Sequence, residues 1–436
     1  MFYVGFSGIP ERPDYNMNEM NERPYDVCIA GAGPAGSTCA FYLARQGVRV
    51  LLLESQRFPR DKICGDAVCS PAHEHLRRMG VLDQIDAQGL GHWAAVGGFY
   101  SPKGIGFVGS SVDATKPPLV IAIRRIVLDE KMARAAQKAG AHLVEEYPAG
   151  GLEFSRSEGL WTSRHARNAR NDSAPPFRAR VLVAADGSPS RIARSLGIVT
   201  TRSQAVCSRA YIEADSTDFD ADGVVYYPPE LLPGYCALFR EAGGLLNFCA
   251  YILPGGQCAN SDLRSIHERV LRDDPHLRKA LGPRARMRKM QGAELRLGGI
   301  ARSAADHLVV IGDAAGQIDP LTGEGIHHAI EAASIAAEVI GEGLRANELS
   351  EAFLSRYHDR WQTAFGSDFK WSERMARMCA RYPWLLDAAA SLVQRRGVEF
   401  LREWGEVMTG AKPKSGYLRP SIAFPMMLEL ARQWVS

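Results

Sequence analysis

The feature that most constrains the fold is the stretch Gly31-Ala-Gly-Pro-Ala-Gly36, which lies between two apolar runs. The first run, 25–30, has the composition of a buried strand. A helical pattern over 37–46 then precedes a second apolar run, 48–54. A strand, a glycine turn, a helix and a second strand in this order form the dinucleotide-binding unit. The folded part of the chain is therefore predicted to begin with a Rossmann-type unit.

Each glycine of this turn has a separate physical task. Gly31 permits the tight turn, Gly33 lets the backbone approach a diphosphate at the positive end of the helix dipole, and Gly36 allows close helix–strand packing. Glu54, 23 residues after Gly31, can accept hydrogen bonds from a ribose diol, which suits FAD or NAD better than a 2′-phosphate. The predicted contacts of this half of the cofactor are Gly31, Gly33, Pro34, Ala35, Gly36 and Glu54.

Two later apolar runs also end in polar turns. One run ends at Asp186, and the other ends at Gly312-Asp313 and is followed by a second glycine-rich turn, 319–326, and a helix. A carboxylate at a strand end can hold the ribityl hydroxyls of a flavin. A helix N-terminus can stabilise the negative charge that a flavin gains on reduction. Together with the first turn, these features favour FAD, with contacts from Asp186, Gly312, Asp313, Gly323, Gly325 and Ile326.

Composition excludes several classes of protein. With 436 residues the chain is too long for one core, so two or three structural units are expected. The net charge of +3 is too small to indicate nucleic-acid binding. The nine cysteines have no regular spacing, which indicates free thiols and a cytoplasmic location. Residues 1–23 read as a disordered leader, and no run is long enough to span a bilayer.

No metal site is predicted. Cys64 and Cys69 lack the further cysteine that a ferredoxin-type cluster needs at this spacing. His327 and His328 are neighbours on a helix, and helical geometry separates their directions by about 100°. The sequence therefore gives neither pair a chelating arrangement.

The motifs GAGPAG, Glu54, ADGSPSR and GDAAGQIDPLTGEGI together resemble the FAD-dependent oxidoreductases of the p-hydroxybenzoate hydroxylase fold. FPRDKICGD and DPLTGEGI are similar specifically to the geranylgeranyl reductase family, whose members saturate double bonds of isoprenoid chains. The resemblance covers about residues 24–345. It implies FAD as the cofactor and Arg125 as a flavin contact. No second GxGxxG motif for a nicotinamide is visible, so the electron donor stays open between transiently bound NAD(P)H and a ferredoxin-like protein.

The resemblance also implies a mixed α/β (α+β) fold, in which an antiparallel sheet interrupts a Rossmann-type FAD-binding domain and covers the flavin. We expect the FAD-binding domain at 24–75, 118–200 and 290–345, and the substrate-binding domain at 76–117 and 201–289. A C-terminal helical cap is expected at 346–436. The last helical segment, 421–435, is a candidate for peripheral membrane contact, and the oligomeric state stays open.

Tyr227, Tyr235 and Phe239 are predicted to line an apolar tunnel for a hydrophobic or lipid substrate. Prenyl reductases of the family commonly carry Tyr-x-Trp-x-Phe-Pro, whereas this chain has Tyr235-Cys-Ala-Leu-Phe-Arg240. Ala237 therefore stands at the tryptophan position. We expect the missing indole to open volume and to change the shape of the substrate.

The stretch RDKICGDAVC, 60–69, leaves three interpretations of Cys64: a metal ligand, a redox thiol or a buried small side chain. The resemblance favours a position over the flavin, in proton delivery or alkene positioning. Asp66 is a second catalytic candidate, and Arg60 and Lys62 are expected to favour the Cys64 thiolate.

Two enzymatic functions follow, together with one alternative that is not enzymatic. The first is reduction of carbon–carbon double bonds in an isoprenoid or another hydrophobic substrate. The second is oxygen-dependent hydroxylation or epoxidation of an aromatic or polyketide substrate on the same fold. The third is a flavoprotein redox sensor, for which only the cysteines argue. The Cys64 stretch favours the reductase.

Overall fold

The computed structural model describes residues 23–110, 112–113, 115–163, 176–253 and 263–435. The predicted leader, apart from residue 23, lies outside these ranges. The mixed α/β fold class is confirmed, because a sheet with parallel strands and flanking helices is combined with a mostly antiparallel sheet and a helical C-terminal region.

The cofactor-side sheet carries the predicted Rossmann-type unit. Its strands are β1 (Tyr25–Ala30), β2 (Val50–Leu53), β8 (His142–Val144), β9 (Leu152–Ser155), β10 (Leu160–Ser163), β11 (Arg178–Ala184), β17 (Ala304–Ala305) and β18 (Leu308–Val310). The order is β17-β18-β11-β1-β2-β8, with a parallel core from β18 to β8, and the β9–β10 hairpin attaches to β11. Val27 and Ile29 enter one apolar core, whereas Cys28 and Ala30 enter another. Both faces are covered, as a parallel sheet requires.

Thirteen α-helices are found in the described residues. They are α1 (Pro34–Arg45), α2 (His73–Arg78), α3 (Val81–Ala87), α4 (Arg125–Lys138), α5 (Arg191–Ser195), α6 (Leu263–Asp273), α7 (Pro275–Leu281), α8 (Ile326–Ala346), α9 (Glu351–Trp361), α10 (Ser367–Arg381), α11 (Trp384–Arg396), α12 (Val398–Met408) and α13 (Pro420–Val435). Within the same ranges, no helix is both long and apolar enough to cross a membrane.

The second sheet, which we call the roof sheet, covers the cofactor side of the molecule. Its strands are β5 (Val96–Tyr100), β6 (Gly106–Ser110), β12 (Ala205–Glu213), β13 (Gly223–Tyr226), β14 (Tyr235–Glu241), β15 (Leu245–Ile252) and β16 (Gln291–Leu295), in the order β16-β12-β15-β14-β13-β5-β6. Alternate residues such as Leu238 and Phe248 pack beneath α6 and α7. The opposite face presents Phe239 and Cys249 to the cofactor side. A third, small sheet has the order β3-β7-β4, formed by β3 (Ala67–Cys69), β4 (His92–Trp93) and β7 (Val120–Ala122).

The structure moves two of the expected boundaries. Strand β16 pairs with β12 and therefore extends the roof sheet to Leu295, beyond the expected end at residue 289. The second half of α2 and all of α3 fall within the range expected for the substrate side, but Leu76 and Ile85 pack into the core that contains Val27. The reason is hydrophobic: the apolar sides of these helices are buried against the cofactor-side core instead of the roof.

The C-terminal region is partly integral to the same core. Trp361 at the end of α9 is fully buried in the core that contains Val27, and its indole N–H donates to Ser303 Oγ at 3.0 Å. Phe365 and Phe369 continue this packing. The beginning of the region therefore packs into the core that contains Val27.

Trp361→Ala is expected to lower the free energy of unfolding by about 3–5 kcal/mol, because it removes a large buried side chain and leaves a cavity. Trp384→Ala is the matched control, since Trp384 is 41% exposed. Urea unfolding of the two variants checks the prediction, and similar losses in both would contradict it.

Candidate flavin site

The first glycine turn is shaped for a ligand at the start of α1. A Cβ at Gly31 would lie 2.3 Å from the Ala185 carbonyl oxygen, and one at Gly36 would lie 1.8 Å from the Gly31 carbonyl oxygen. Packing therefore requires both glycines. A Cβ at Gly33 would meet no protein atom closer than Arg125 Nη2 at 3.8 Å, and Gly33 borders a cavity. Among the described residues, no side chain caps the N-terminus of α1, so its backbone N–H groups suit a diphosphate.

That cavity has a volume of about 310 Å³ and lies between the two sheets. It is bordered by the first turn, the 62–67 loop, the roof sheet, the second glycine turn and the end of α12. The predicted residues that line it are Gly33, Pro34, Ala35, Cys64, Asp66, Arg125, Tyr227, Tyr235, Phe239, Asp313, Gly323, Gly325 and Ile326. Most of the predicted site is thus brought to one place by distant parts of the chain.

The second glycine turn is held by Asp319. Its Oδ1 accepts bonds from the backbone N–H groups of Leu321 at 2.8 Å and Thr322 at 2.9 Å. Its Oδ2 accepts the Ser372 hydroxyl at 2.6 Å and lies 3.8 Å from Lys414 Nζ. The N-terminus of α8 faces the cavity at Gly325, which has no side chain to cap the helix, while Glu324 Oε1 accepts the His327 N–H at 3.2 Å. This arrangement fits the pyrimidine edge of a flavin.

Asp319 and Lys414 were not among the predicted site residues. The Asp319-Pro320 pair is a typical turn-forming signal and could have indicated Asp319. Lys414 is distant in sequence and gave no such signal. Burial opposes ionisation of Asp319, but Lys414, His328 and the hydrogen bonds from Ser372 and Thr322 together outweigh it and lower the pKa of this carboxyl.

The predicted carboxylates have different surroundings. Asp313 Oδ2 accepts a bond from Lys62 Nζ at 2.8 Å, and this partner lowers the Asp313 pKa in spite of burial. Glu54 is buried and accepts Arg60 Nη2 at 2.9 Å. Asp186 accepts the N–H groups at the start of α5 and does not line the cavity. Its predicted contact with the ribityl chain remains a prediction.

The surroundings of Cys64 differ from the expected ones. Arg60 binds Glu54 and Asp129, and Lys62 binds Asp313, so neither is directed at the thiol. Arg125 is the cation beside Cys64. Burial raises the pKa of the Cys64 thiol, and Arg125 only partly opposes this effect. The direction of this shift favours the protonated thiol at neutral pH, and a thiolate formed there would face the Arg125 guanidinium.

Arg125 is itself fixed by a bidentate ion pair. Its Nε and Nη2 donate to the two carboxylate oxygens of Asp129 at 2.7 and 2.8 Å. Both residues are buried, and the pair lies one helical turn apart on α4. Its predicted flavin contact remains open, but its side chain reaches the cavity beside Cys64.

The apolar side of the cavity is aromatic. The ring of Tyr235 lies 6.0 Å from that of Tyr227 and 5.6 Å from that of Tyr251, which the sequence prediction missed. Tyr235 Oη donates to the Thr322 carbonyl, and Tyr251 Oη donates to the Pro320 carbonyl. Ala237 is fully buried and does not line the cavity, so the expected extra volume from the missing indole is not found there.

Asp66 lies at the centre of a buried polar group under the roof sheet. It adopts φ of 60°, and its carbonyl accepts Ile123 N–H at 2.9 Å. Its Oδ2 accepts the Tyr211 hydroxyl at 2.5 Å and Asn247 Nδ2 at 2.9 Å. Burial raises the pKa of Asp66 to about 6, although these donors oppose the shift.

This pKa predicts a dependence of stability on pH. Asp66 is harder to ionise in the folded state, so stability is retained below pH 4 and lost as pH rises to about 6. The expected loss is on the order of 3 kcal/mol relative to Asp66→Asn. Urea unfolding between pH 4 and 7 measures it. Asp83→Asn, at an exposed position of α3, controls for the loss of one carboxylate. Parallel pH profiles for wild type and Asp66→Asn would contradict the prediction.

Three potential metal ligands meet at the edge of the cavity. The ligand atoms of Cys69, Glu324 and His327 lie within 4.8 Å of one another. The ring centroids of His327 and His328 are 3.7 Å apart, and both rings turn toward Glu324. The expected divergence of the two side chains was therefore wrong, because Glu324 attracts both. The ammonium of Lys414 already supplies positive charge to Cys69 and His327.

Comparison with known proteins agrees with this site. The model of a FAD binding domain family matches residues 24–365. The chain belongs to this family. Within the FAD binding domain family it is geranylgeranyl reductase-like, as predicted from the motifs. The family and the fit of both glycine turns make it an FAD-dependent oxidoreductase.

Individual relatives in the family carry different names. Conditioned medium factor receptor 1 of Dictyostelium discoideum is 48% identical over 95% of this chain and 82% of its own length. Digeranylgeranylglycerophospholipid reductase 2 of Methanothermobacter thermautotrophicus is 32% identical over 81% of this chain and 87% of its own length. A geranylgeranyl bacteriochlorophyll reductase-like structure from Thermoplasma acidophilum has a TM-score of 0.73 at 22% identity, covering 92% and 99% of the two chains. This last likeness concerns the fold.

Proposed function

We propose that this protein reduces carbon–carbon double bonds of an isoprenoid or another hydrophobic substrate. The observation that carries the proposal is the position of the Cys64 thiol, which lines a cavity shared by both glycine turns and by Tyr227, Tyr235 and Phe239, and whose pKa is raised by burial. Reduction of an alkene needs a hydride on one carbon and a proton on the other. When bound, FAD supplies the hydride.

The residues of the chain supply the remaining requirements. Cys64 donates its S–H proton to the second carbon, and Arg125 stabilises the thiolate that remains. Aromatic rings of the roof sheet hold the apolar chain and exclude water. The 32% identical relative named as a digeranylgeranylglycerophospholipid reductase supports a prenyl substrate. The receptor name of the 48% identical relative does not by itself indicate a reaction.

The electron donor and the route of the substrate are part of the proposal. We infer that NAD(P)H or a ferredoxin-like protein reduces the flavin. A lipid substrate would enter from a membrane surface on which the protein rests in the cytoplasm. Met427 and Leu428 of α13 are 67% and 47% exposed and suit such a peripheral contact.

Anaerobic turnover tests the proposed reaction. The FAD-loaded protein is reduced with dithionite under strict anoxia and incubated with geranylgeranylated glycerophospholipid and, separately, with menaquinone. Mass spectrometry is expected to find products heavier by two hydrogen atoms. Products that form only with oxygen and gain one oxygen atom would instead establish the monooxygenase.

A further inference from the structure

Glu241 is a buried carboxyl group with no evident structural task. It ends β14, is 2% exposed, and neither of its carboxyl oxygens has a hydrogen-bond partner of good geometry among the described residues, although the Asn247 side chain is near enough to favour its ionised form. Leaving a carboxylate in this state is costly, because burial strongly disfavours an isolated charge. We therefore expect Glu241 to be protonated, to lie near a cation, or to have a functional role that offsets this cost.

The strand register places Glu241 in the polar group around Asp66. Asn247 on β15 lies opposite Phe239 on β14 and opposite Tyr211 on β12. Because side chains alternate between the faces of a sheet, Glu241, Asn247 and Tyr211 share the face toward Asp66. Glu241 lies close enough to the Asn247 amide and to Asp66 for both to influence its ionisation.

The side chain of Asn247 shows that this polar group lacks a hydrogen-bond donor. Its Nδ2 donates to Asp66 Oδ2 at 2.9 Å and to the Cys64 carbonyl at 3.0 Å, and these two acceptors fix its orientation. Its Oδ1 is buried and, like Asp66 Oδ1, has no donor among the described residues. Asn247 Oδ1 and the oxygens of Glu241 are all acceptors, so one carboxyl proton in this group supplies the missing donor.

The charges around Asp66 and Glu241 also indicate that the two carboxyl groups together carry one proton. Arg209 is paired with Asp61 at 2.7 Å, and Arg125 is paired with Asp129. Arg124, over the ring of Tyr211, is the remaining cation that acts on Glu241. One cation and two buried carboxyl groups are neutral together when the carboxyl groups carry one proton. The neighbouring hydroxyl and thiols, those of Tyr211, Cys64 and Cys249, are uncharged at neutral pH because burial raises their pKa values.

We propose that Asp66 and Glu241 share one proton, and that this carboxyl pair resupplies the Cys64 thiol from solvent. Glu241 adjoins the exposed turn at Gly243 and Gly244, whereas Asp66 borders the cavity, and its backbone N–H faces the Cys64 sulfur. Glu241 is therefore the member of the pair nearer to solvent, and Asp66 is the member next to Cys64 and the cavity.

The proton count of each turnover balances. When the S–H bond of Cys64 breaks and the new C–H bond forms, the thiolate takes the proton held by the pair. The pair then takes one proton from water at the Glu241 end. This role for Cys64 rests on the proposed reduction of alkenes, but the shared proton itself does not.

Infrared spectroscopy of the FAD-loaded, oxidised protein tests the shared proton without any substrate. Wild type at pH 7 is expected to show a protonated-carboxyl C=O band that shifts in D₂O. Glu241→Gln keeps the shape but removes one of the two carboxyl groups and the charge repulsion that retains the proton, so the remaining Asp66 is expected to be ionised at pH 7 and the band to be lost. Glu241→Asp should retain it. An unchanged band in Glu241→Gln would overturn the proposal, and so would its absence from wild type.

A second measurement addresses the link to Cys64. The rate of Cys64 alkylation by iodoacetamide, followed by mass spectrometry against pH, is expected to have a low-pH inflection that moves down in Glu241→Gln. Glu213→Gln, on the exposed end of β12, controls for loss of a carboxylate. If the inflection moves but no alkene is reduced, the proton pair stands and the proposed reaction fails. If it does not move in a folded variant, the resupply of Cys64 is refuted.

Discussion

Cys64→Ala is expected to retain FAD and to lose at least about 100-fold in turnover, the lower range for removal of a general acid. Cys64 lines the cavity beside Arg125, while the first glycine turn and α8 do not depend on the thiol. Flavin absorbance measures retention of the cofactor, and anaerobic product formation measures turnover.

Cys379→Ala is the matched control, because Cys379 lies on α10 and does not line the cavity. It should remain within about twofold of wild type, as a conservative change outside the site. Wild-type turnover in Cys64→Ala would show that the thiol is only a packing group. Loss of FAD from that variant would assign Cys64 to the cofactor site instead.

Two substitutions in the first glycine turn are expected to lower different properties, FAD binding in one variant and stability in the other. Gly33→Val is expected to fold and to weaken FAD binding at least about 100-fold, because its side chain would fill the space that a diphosphate needs. Gly36→Val is expected to lose several kcal/mol of stability, of the order seen for severe core mutations, because its Cβ would lie 1.8 Å from a backbone oxygen.

Circular dichroism of the FAD-free proteins separates the two effects, and flavin fluorescence titration then gives the affinity of the folded variant. The comparison is internally controlled, since the same side chain is added three residues apart. If a folded Gly33→Val variant binds FAD as tightly as wild type, the diphosphate does not bind at this turn.

The sequence predicted best where the function of a residue depends on local chain geometry. Gly31 and Gly36 follow from the strand–turn–helix order, and the structure gives each the close backbone contact that excludes a side chain. Asp186 shows the limit of this reasoning. A carboxylate after a strand has two local uses: the structure shows that this one caps α5, and its contact with the ribityl chain stays a prediction.

The residues that were missed depend on contacts between distant segments. Tyr251 and Lys414 reach the site, and Glu241 reaches the polar group around Asp66, through strand register or through the path of the C-terminal region, which local patterns do not encode. The prediction of which cations lie beside Cys64 was wrong for the same reason. Arg60 and Lys62 are near it in sequence, but each is neutralised by a more distant carboxylate.

Asp319 makes the second glycine turn depend on residues far downstream. The same carboxylate fixes that turn and binds Ser372 and Lys414 from the C-terminal region. Cofactor affinity and the order of the C-terminal region must then be thermodynamically coupled, and the coupling acts equally in both directions. FAD should slow hydrogen exchange at residues 405–418, and a ligand that orders this segment should tighten FAD binding. Ligands that bind the C-terminal region would thus change the affinity for FAD allosterically. Equal hydrogen exchange with and without FAD would contradict this coupling.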